Sequence, residues 1–161
     1  MKKVFLTIFF VTIILSPCFS QAANVDTRLN GIWVGTIGGI EVEFRFNNGN
    51  FESATNGNTD TRGTYTTING EITLKPAHVH GSSFNATAGA SFLESKWYTI
   101  NEYIVAIRDI FLRLGFAESY INEITYFMIS PPSSSYSVDA NTLILTSNIN
   151  GNKTVQILTK R

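Results

Sequence analysis

Short runs of alternating side chains, joined by links too short for any crossover, constrain this chain more than any other feature of it. In "IEVEFRF", Ile40, Val42, Phe44 and Phe46 fall on one face of a strand while Glu41, Glu43 and Arg45 fall on the other. One face is expected to be buried and the other wet. "NNGN" at 47–50 then supplies residues that tolerate positive φ, as a tight hairpin demands, and "FESAT" returns as the partner strand. The same grammar repeats in "TRGTYTTINGEITLKP" around Asn69-Gly70, the strongest short hairpin signal, and again in "SSYSV", "TLILTS" and "KTVQILTK".

Eight strands are expected, starting near Gly31, Ile40, Asn50, Thr61, Glu71, Ser134, Thr142 and Lys153. Within each group the neighbours must pair antiparallel, because parallel pairing needs a crossover of a dozen residues or more. Pro76 cannot donate to a ladder, so the fifth strand is expected to end, or to become an edge, near it.

Residues 81–133 interrupt the pattern. "GSSFNATAGAS" reads as a flexible loop. Thr99 followed by Glu102 has the capping-box spacing that starts a helix, and Ile100, Tyr103, Ile104, Ile107, Phe111 and Leu114 recur at helical spacing until Gly115 stops it. "YINEITYFMI" at 120–129 reads equally as helix or strand. Trp97 and Tyr98 stand where they could anchor the helix to the sheet, which would either cap the structure or cover it as a movable lid.

The N-terminus, "MKKVFLTIFFVTIILSPCFSQAA", places Lys2 and Lys3 before an apolar run from Val4 to Leu15 and a small-residue tail, the three parts of a secretory signal. That run is too short to remain as a membrane span, which needs roughly 20 apolar residues. Removing 1–23 leaves 24–161, a length suited to a single domain. Two readings of the signal stand. Leu15-Ser16-Pro17-Cys18 resembles a lipobox, with Cys18 as the lipidated residue and a membrane anchor, while Ser20 and Ala22 offer ordinary cleavage sites. Both place the chain outside the cytoplasm, in the cell envelope or beyond it. Cys18 is the single cysteine, so no intramolecular disulfide can staple the fold.

The fold expected from these runs is mainly β, an antiparallel eight-stranded up-and-down barrel with a helical insertion at about 97–130, between strands 5 and 6. An immunoglobulin-like sandwich fits less well, since the cysteine pair and the long crossovers are missing. Gly31-Ile32-Trp33 at the start of the first strand resembles the first motif of lipocalins and related calycins. More specifically, "GIWVGT", "IEVEFRFNNGNFESATNG", "RGTYTTINGEITL" and "YSVDANTLILT" resemble the lipocalin-like domains of exported bacterial envelope proteins, many of them of lipoprotein type. The resemblance covers 31–76 and 134–160. It implies a calycin barrel, with the tryptophan packed across the barrel's open end and a ligand-carrier role.

Few residues invite a chemical role. Trp33, Phe44, Phe46, Phe51 and Tyr65 are the candidates to line a lumen for one small hydrophobic molecule; the alternative is that their rings fill the interior. His78 and His80 would project from one face of an extended segment, and are weak candidates for a metal because nothing nearby completes the ligand set. Glu41 and Glu43 share a face, a spacing open to acid-base work but better explained by a solvated outer surface. No nucleophile setting and no phosphate-cradling glycine loop is recognisable, so neither an enzyme nor a cofactor is expected. Positive and negative residues balance at 12 each, with no basic patch, which argues against nucleic acid. Two functions follow: a carrier for a small hydrophobic molecule, or an envelope protein with a solid core that docks a protein partner.

Overall fold

The computed structural model describes residues 24–161, apart from Gly38 and Asn150. The expected secretory signal at 1–23 and the lipidation candidate Cys18 lie outside the described residues. Among the described residues nine strands form: β1 (Gly31–Ile37), β2 (Ile40–Asn47), β3 (Asn50–Thr55), β4 (Asn58–Ile68), β5 (Glu71–His80), β6 (Trp97–Thr99), β7 (Ser134–Val138), β8 (Thr142–Ile149) and β9 (Asn152–Lys160). Eight of them close an antiparallel barrel in the order β1-β2-β3-β4-β5-β7-β8-β9, with β9 returning to β1. The short strand β6 adds to β5 outside that ring.

Turn chemistry explains the up-and-down course. Asn48-Gly49, Asn56-Gly57 and Asn69-Gly70 join successive strands, and both residues of each pair have positive φ, between 44° and 86°. Such turns twist with the strands they connect, and asparagine and glycine tolerate that backbone at least cost.

The chain before β1 closes one end of the barrel. Asp26 caps a 3-10 turn, Thr27–Leu29, and Asn24 bridges to Thr67 of β4. The amide of Asp26 donates to the Thr67 hydroxyl at 3.0 Å, Tyr136 of β7 donates to the Asp26 carboxylate at 2.8 Å, and Asn30 exchanges hydrogen bonds with Asn48. Inside that end, Leu29, Trp33, Phe46, Phe51, Tyr65, Ile72, Leu143, Leu145 and Leu158 form one buried cluster.

β5 runs on through Pro76 to His80 rather than ending at the proline. Pro76 stands between the residues that pair with β7 (Glu71, Ile72) and those that pair with β6 (His78–His80), and a register shift at Arg62/Gly63 interrupts the β4 ladder opposite it. Its missing N–H therefore breaks little. Gly63 is required at this shift, since a Cβ there would lie 2.1 Å from the Lys75 carbonyl oxygen.

Three helices fill the insertion. The expected flexible loop is instead helix α1 (Gly81–Ala88), capped by His80 and ended by Gly89 in the left-handed region. Tertiary contacts offset its weak propensity: the Asn85 carboxamide accepts from the amides of Phe92 and Leu93 at 2.9 and 2.8 Å and donates to the Leu93 carbonyl at 2.7 Å. Helix α2 (Ile100–Arg113) begins at the expected capping box, Thr99 with Glu102. The ambiguous segment is helix, α3 (Glu118–Ile129), joined to α2 through Arg108, which donates to Glu118 and to Asn122. Val79, Tyr98, Tyr103 and Ile107 make a second buried cluster where α2 meets β5 and β6, with Phe84 and Phe111 packed against it. The apolar stripe of α2 thus seats on β5 and β6, with Tyr98 the β6 residue packed against it; Trp97, also expected as an anchor, instead packs against His80 and Arg62.

Candidate functional site

All five lumen candidates converge on the closed end of the barrel. Trp33 has no solvent exposure, and its indole N–H donates to the Leu29 carbonyl at 2.6 Å. Phe46 stacks on Phe44 at 6.1 Å between ring centroids and meets Tyr65 edge-on at 5.0 Å, an offset and T-shaped geometry typical of packed aromatic cores. Phe46, Phe51 and Tyr65 are buried and Phe44 is half-buried against them. Burial raises the pKa of the Tyr65 phenol above its ordinary value. Over Trp33, Lys160 places its ammonium 5.0 Å from the ring centroid.

Clefts lie elsewhere. One of about 190 Å³ sits where the N-terminal strap meets the rim, between Asp26, Thr67 and Tyr136; another of about 380 Å³ lies beside Thr73 and Ser133. A third, of about 350 Å³, opens on the wall between β3 and β5 beside Arg62 and His78. Of the five aromatic candidates only Phe51 borders one of these three.

His78 and His80 do share the outer face, as their spacing implies, but they diverge in role. His80 caps α1, its Nδ1 lying 2.6 Å from the Ser82 hydroxyl, and its ring meets Trp97 edge-on. His78 stands across from Arg62. Among the described residues, no group of three or more histidines, cysteines or carboxylates is placed to hold a metal ion.

Glu43 departs from the expected wet face, being only 6% exposed. Arg45 donates to one of its oxygens and Arg161, from the end of the chain, donates to the other at 2.9 Å, while Glu41 lies 3.9 Å from the same guanidinium. Alternation put Glu43 on the outside correctly; what it could not supply is the cover from Arg161, 118 residues away. Both carboxylate oxygens of Glu43 are engaged, and with Glu41 it ties Arg161 to β2 rather than forming an open acid-base site.

An exposed apolar surface lies on the α2–α3 hairpin. Val105, Leu112, Leu114, Phe116 and Tyr120 are exposed, at 69% for Val105 and 53% for Leu114. Phe111, Phe116 and Tyr120 form a continuous ring ladder with centroid spacings of 5.1 and 5.6 Å. Val105, Leu112, Phe116 and Tyr120 lie outside the stripe read from the sequence, whereas Leu114, counted within it, is exposed because it is the C-cap at which α2 ends. Around this apolar centre the charges are already matched, Arg108 with Glu118 and Arg113 with Asp109.

Comparison with protein-family models, with curated proteins and with solved structures gave no match. Function is therefore argued from the barrel and its surfaces alone.

Proposed function

We propose that this chain is an exported, non-enzymatic, lipocalin-like barrel of the cell envelope whose interior is structural and whose helical insertion docks a protein partner. The observation that carries this reading is the pairing of a filled end with an exposed helical face. Trp33, Phe46, Phe51 and Tyr65 pack with one another and with Leu29, Leu143 and Leu158, whereas Val105, Leu112, Leu114 and Phe116 are exposed. An apolar centre rimmed by satisfied ion pairs has the anatomy of a protein–protein interface. A surface built for anionic lipid or nucleic acid would instead present unpaired lysines and arginines.

Native mass spectrometry of the mature protein from its own host, before and after organic extraction, tests the structural interior. The expected result is the same mass in both, and no binding of apolar fluorescent probes. A reproducible extractable mass would restore the carrier reading. For the docking face, a photo-crosslinker at Phe116 should trap one specific protein in intact cells and Leu114→Asp should abolish that adduct, while the same probe at Val155 on β9 should not trap it. Equal trapping from both positions would overturn the assignment of the face.

A further inference from the structure

The outer wall of β3, β4 and β5 carries a row of cross-strand neighbours in which Glu52 stands opposite Arg62, and Arg62 opposite His78. Beside this row, at the register shift, lies the cleft of about 350 Å³, to which Asn50, Gly63 and Thr64 also contribute. That volume is within the range of small-molecule sites, about 300–1,000 Å³.

Its charged groups are unequally satisfied. Glu52 is engaged by Arg45 at 3.6 Å, and Glu102, which faces His78 from α2, is held by the amide and hydroxyl of Thr99. Arg62, by contrast, enters no ion pair among the described residues; its guanidinium sits over the Trp97 ring, 4.5 Å from the centroid. The imidazole of His78 makes no hydrogen bond among the described residues, and the exposed Lys75, across from Thr64, is likewise in no ion pair. The indole restricts the guanidinium and lends it cation–π support while leaving its N–H donors unused, and those donors fit tetrahedral oxyanions in pairs.

We propose that this cleft is a site for a phosphate-class oxyanion, held by the Arg62 guanidinium with His78 beside it and the polar side chains of Asn50 and Thr64 at its edge. The site is distinct from both the barrel interior and the α2–α3 face. Free phosphate and the phosphate of a lipid headgroup share this chemistry.

The test is a titration of the mature protein with inorganic phosphate at neutral pH, followed by the NMR resonances of the Trp97 indole and the His78 ring. Both should shift saturably with a millimolar midpoint, and potassium chloride at equal ionic strength should not reproduce the shift. Arg62→Gln should raise the midpoint by about tenfold or more and Arg62→Lys by less, since a lysine keeps the charge but loses the paired donors. Lys153→Gln, on β9, should leave it unchanged. Because Arg62 is exposed, circular dichroism of its variants should match the wild type, so a lost response reports the site and not the fold. Given binding, vesicles of phosphatidylcholine with and without phosphatidic acid separate the two sources: retention on the acidic vesicles that Arg62→Gln removes identifies a headgroup, and its absence identifies soluble phosphate. A non-saturable shift, an equal response to chloride, or an Arg62→Gln variant that titrates like the wild type would overturn the proposal.

Discussion

Trp33 and Leu29 are joined by a buried hydrogen bond, indole N–H to carbonyl oxygen, which fixes the first strand to the 3-10 turn that precedes it. Trp33→Phe should cost about 1–2 kcal/mol, the loss of a buried hydrogen bond and some packing, and Trp33→Ala about 3–5 kcal/mol. Urea denaturation reads both. A Trp33→Ala variant that unfolds at the wild-type midpoint would contradict the filled-core account.

Gly63→Ala should destabilise the barrel by more than about 1 kcal/mol, because the new methyl group would press on the Lys75 carbonyl, which belongs to backbone and cannot swing away. Amide exchange should show loosened protection in β4 and β5 first. Ordinary protection in both strands would mean that the wall relaxes around the methyl group.

Asp26 gives the fold an acid-sensitive latch. The Arg28 guanidinium hydrogen-bonded to its carboxylate is the chief cause of its depressed pKa, from an ordinary 3.8 down to about 2. A carboxyl held lower in the folded state stabilises it above the unfolded pKa, and that contribution fades as pH falls from about 4 to about 2. Arg28 is largely exposed, so solvent screening reduces the contribution to about 1 kcal/mol. Asp26→Asn should remove this part of the pH dependence, as stability measured at successive pH values between 2 and 5 would reveal. An unchanged slope would show that Asp26 is not its source.

Thr99→Ala removes the hydroxyl of the α2 capping box and should cost about 1 kcal/mol, concentrated in the first turn of the helix. Hydrogen exchange of the amides at 101–104 is the measurement. If they are as protected as before, the cap contributes nothing beyond the helix's own packing.

Cys18→Ser should abolish incorporation of labelled fatty acid, following the lipobox-like reading of Leu15-Ser16-Pro17-Cys18. A wild type that takes up no label and is released in soluble form would establish ordinary signal cleavage.

The hairpin strands were legible in the sequence because their turns are local. Asn69-Gly70 needs no distant partner to favour a reversal, and the strand starts at Gly31, Ile40, Asn50, Glu71, Ser134 and Thr142 stand where alternation and punctuation place them. α2 was equally plain, since its cap lies in its first turn and its apolar residues recur every three or four positions within the helix itself. α1 was not, because glycine, serine, asparagine and threonine are weak helix formers and what holds them is the Asn85 clamp on residues seven and eight positions away. In α3, apolar residues at Ile121 and Ile124 suit a strand as well as a helix, and what distinguishes the two lies outside the segment: Ile121 is fully buried against the rest of the fold, and Arg108 of the neighbouring helix donates to Glu118 and Asn122. The cleft beside Arg62 was invisible for a similar reason: Trp97 lies far along the chain, and only the strand pairing brings it under the guanidinium.

β5 lends one edge to two different strands, β7 near its start and β6 near its end. The insertion therefore leaves the wall at His80 and rejoins it beside Ile72, points separated by roughly 26 Å of strand. No hairpin turn spans such a distance. The helices are a splice in the barrel's circumference rather than an ornament hung on a loop, and trimming them away would leave two ends that cannot be rejoined without rebuilding the wall itself.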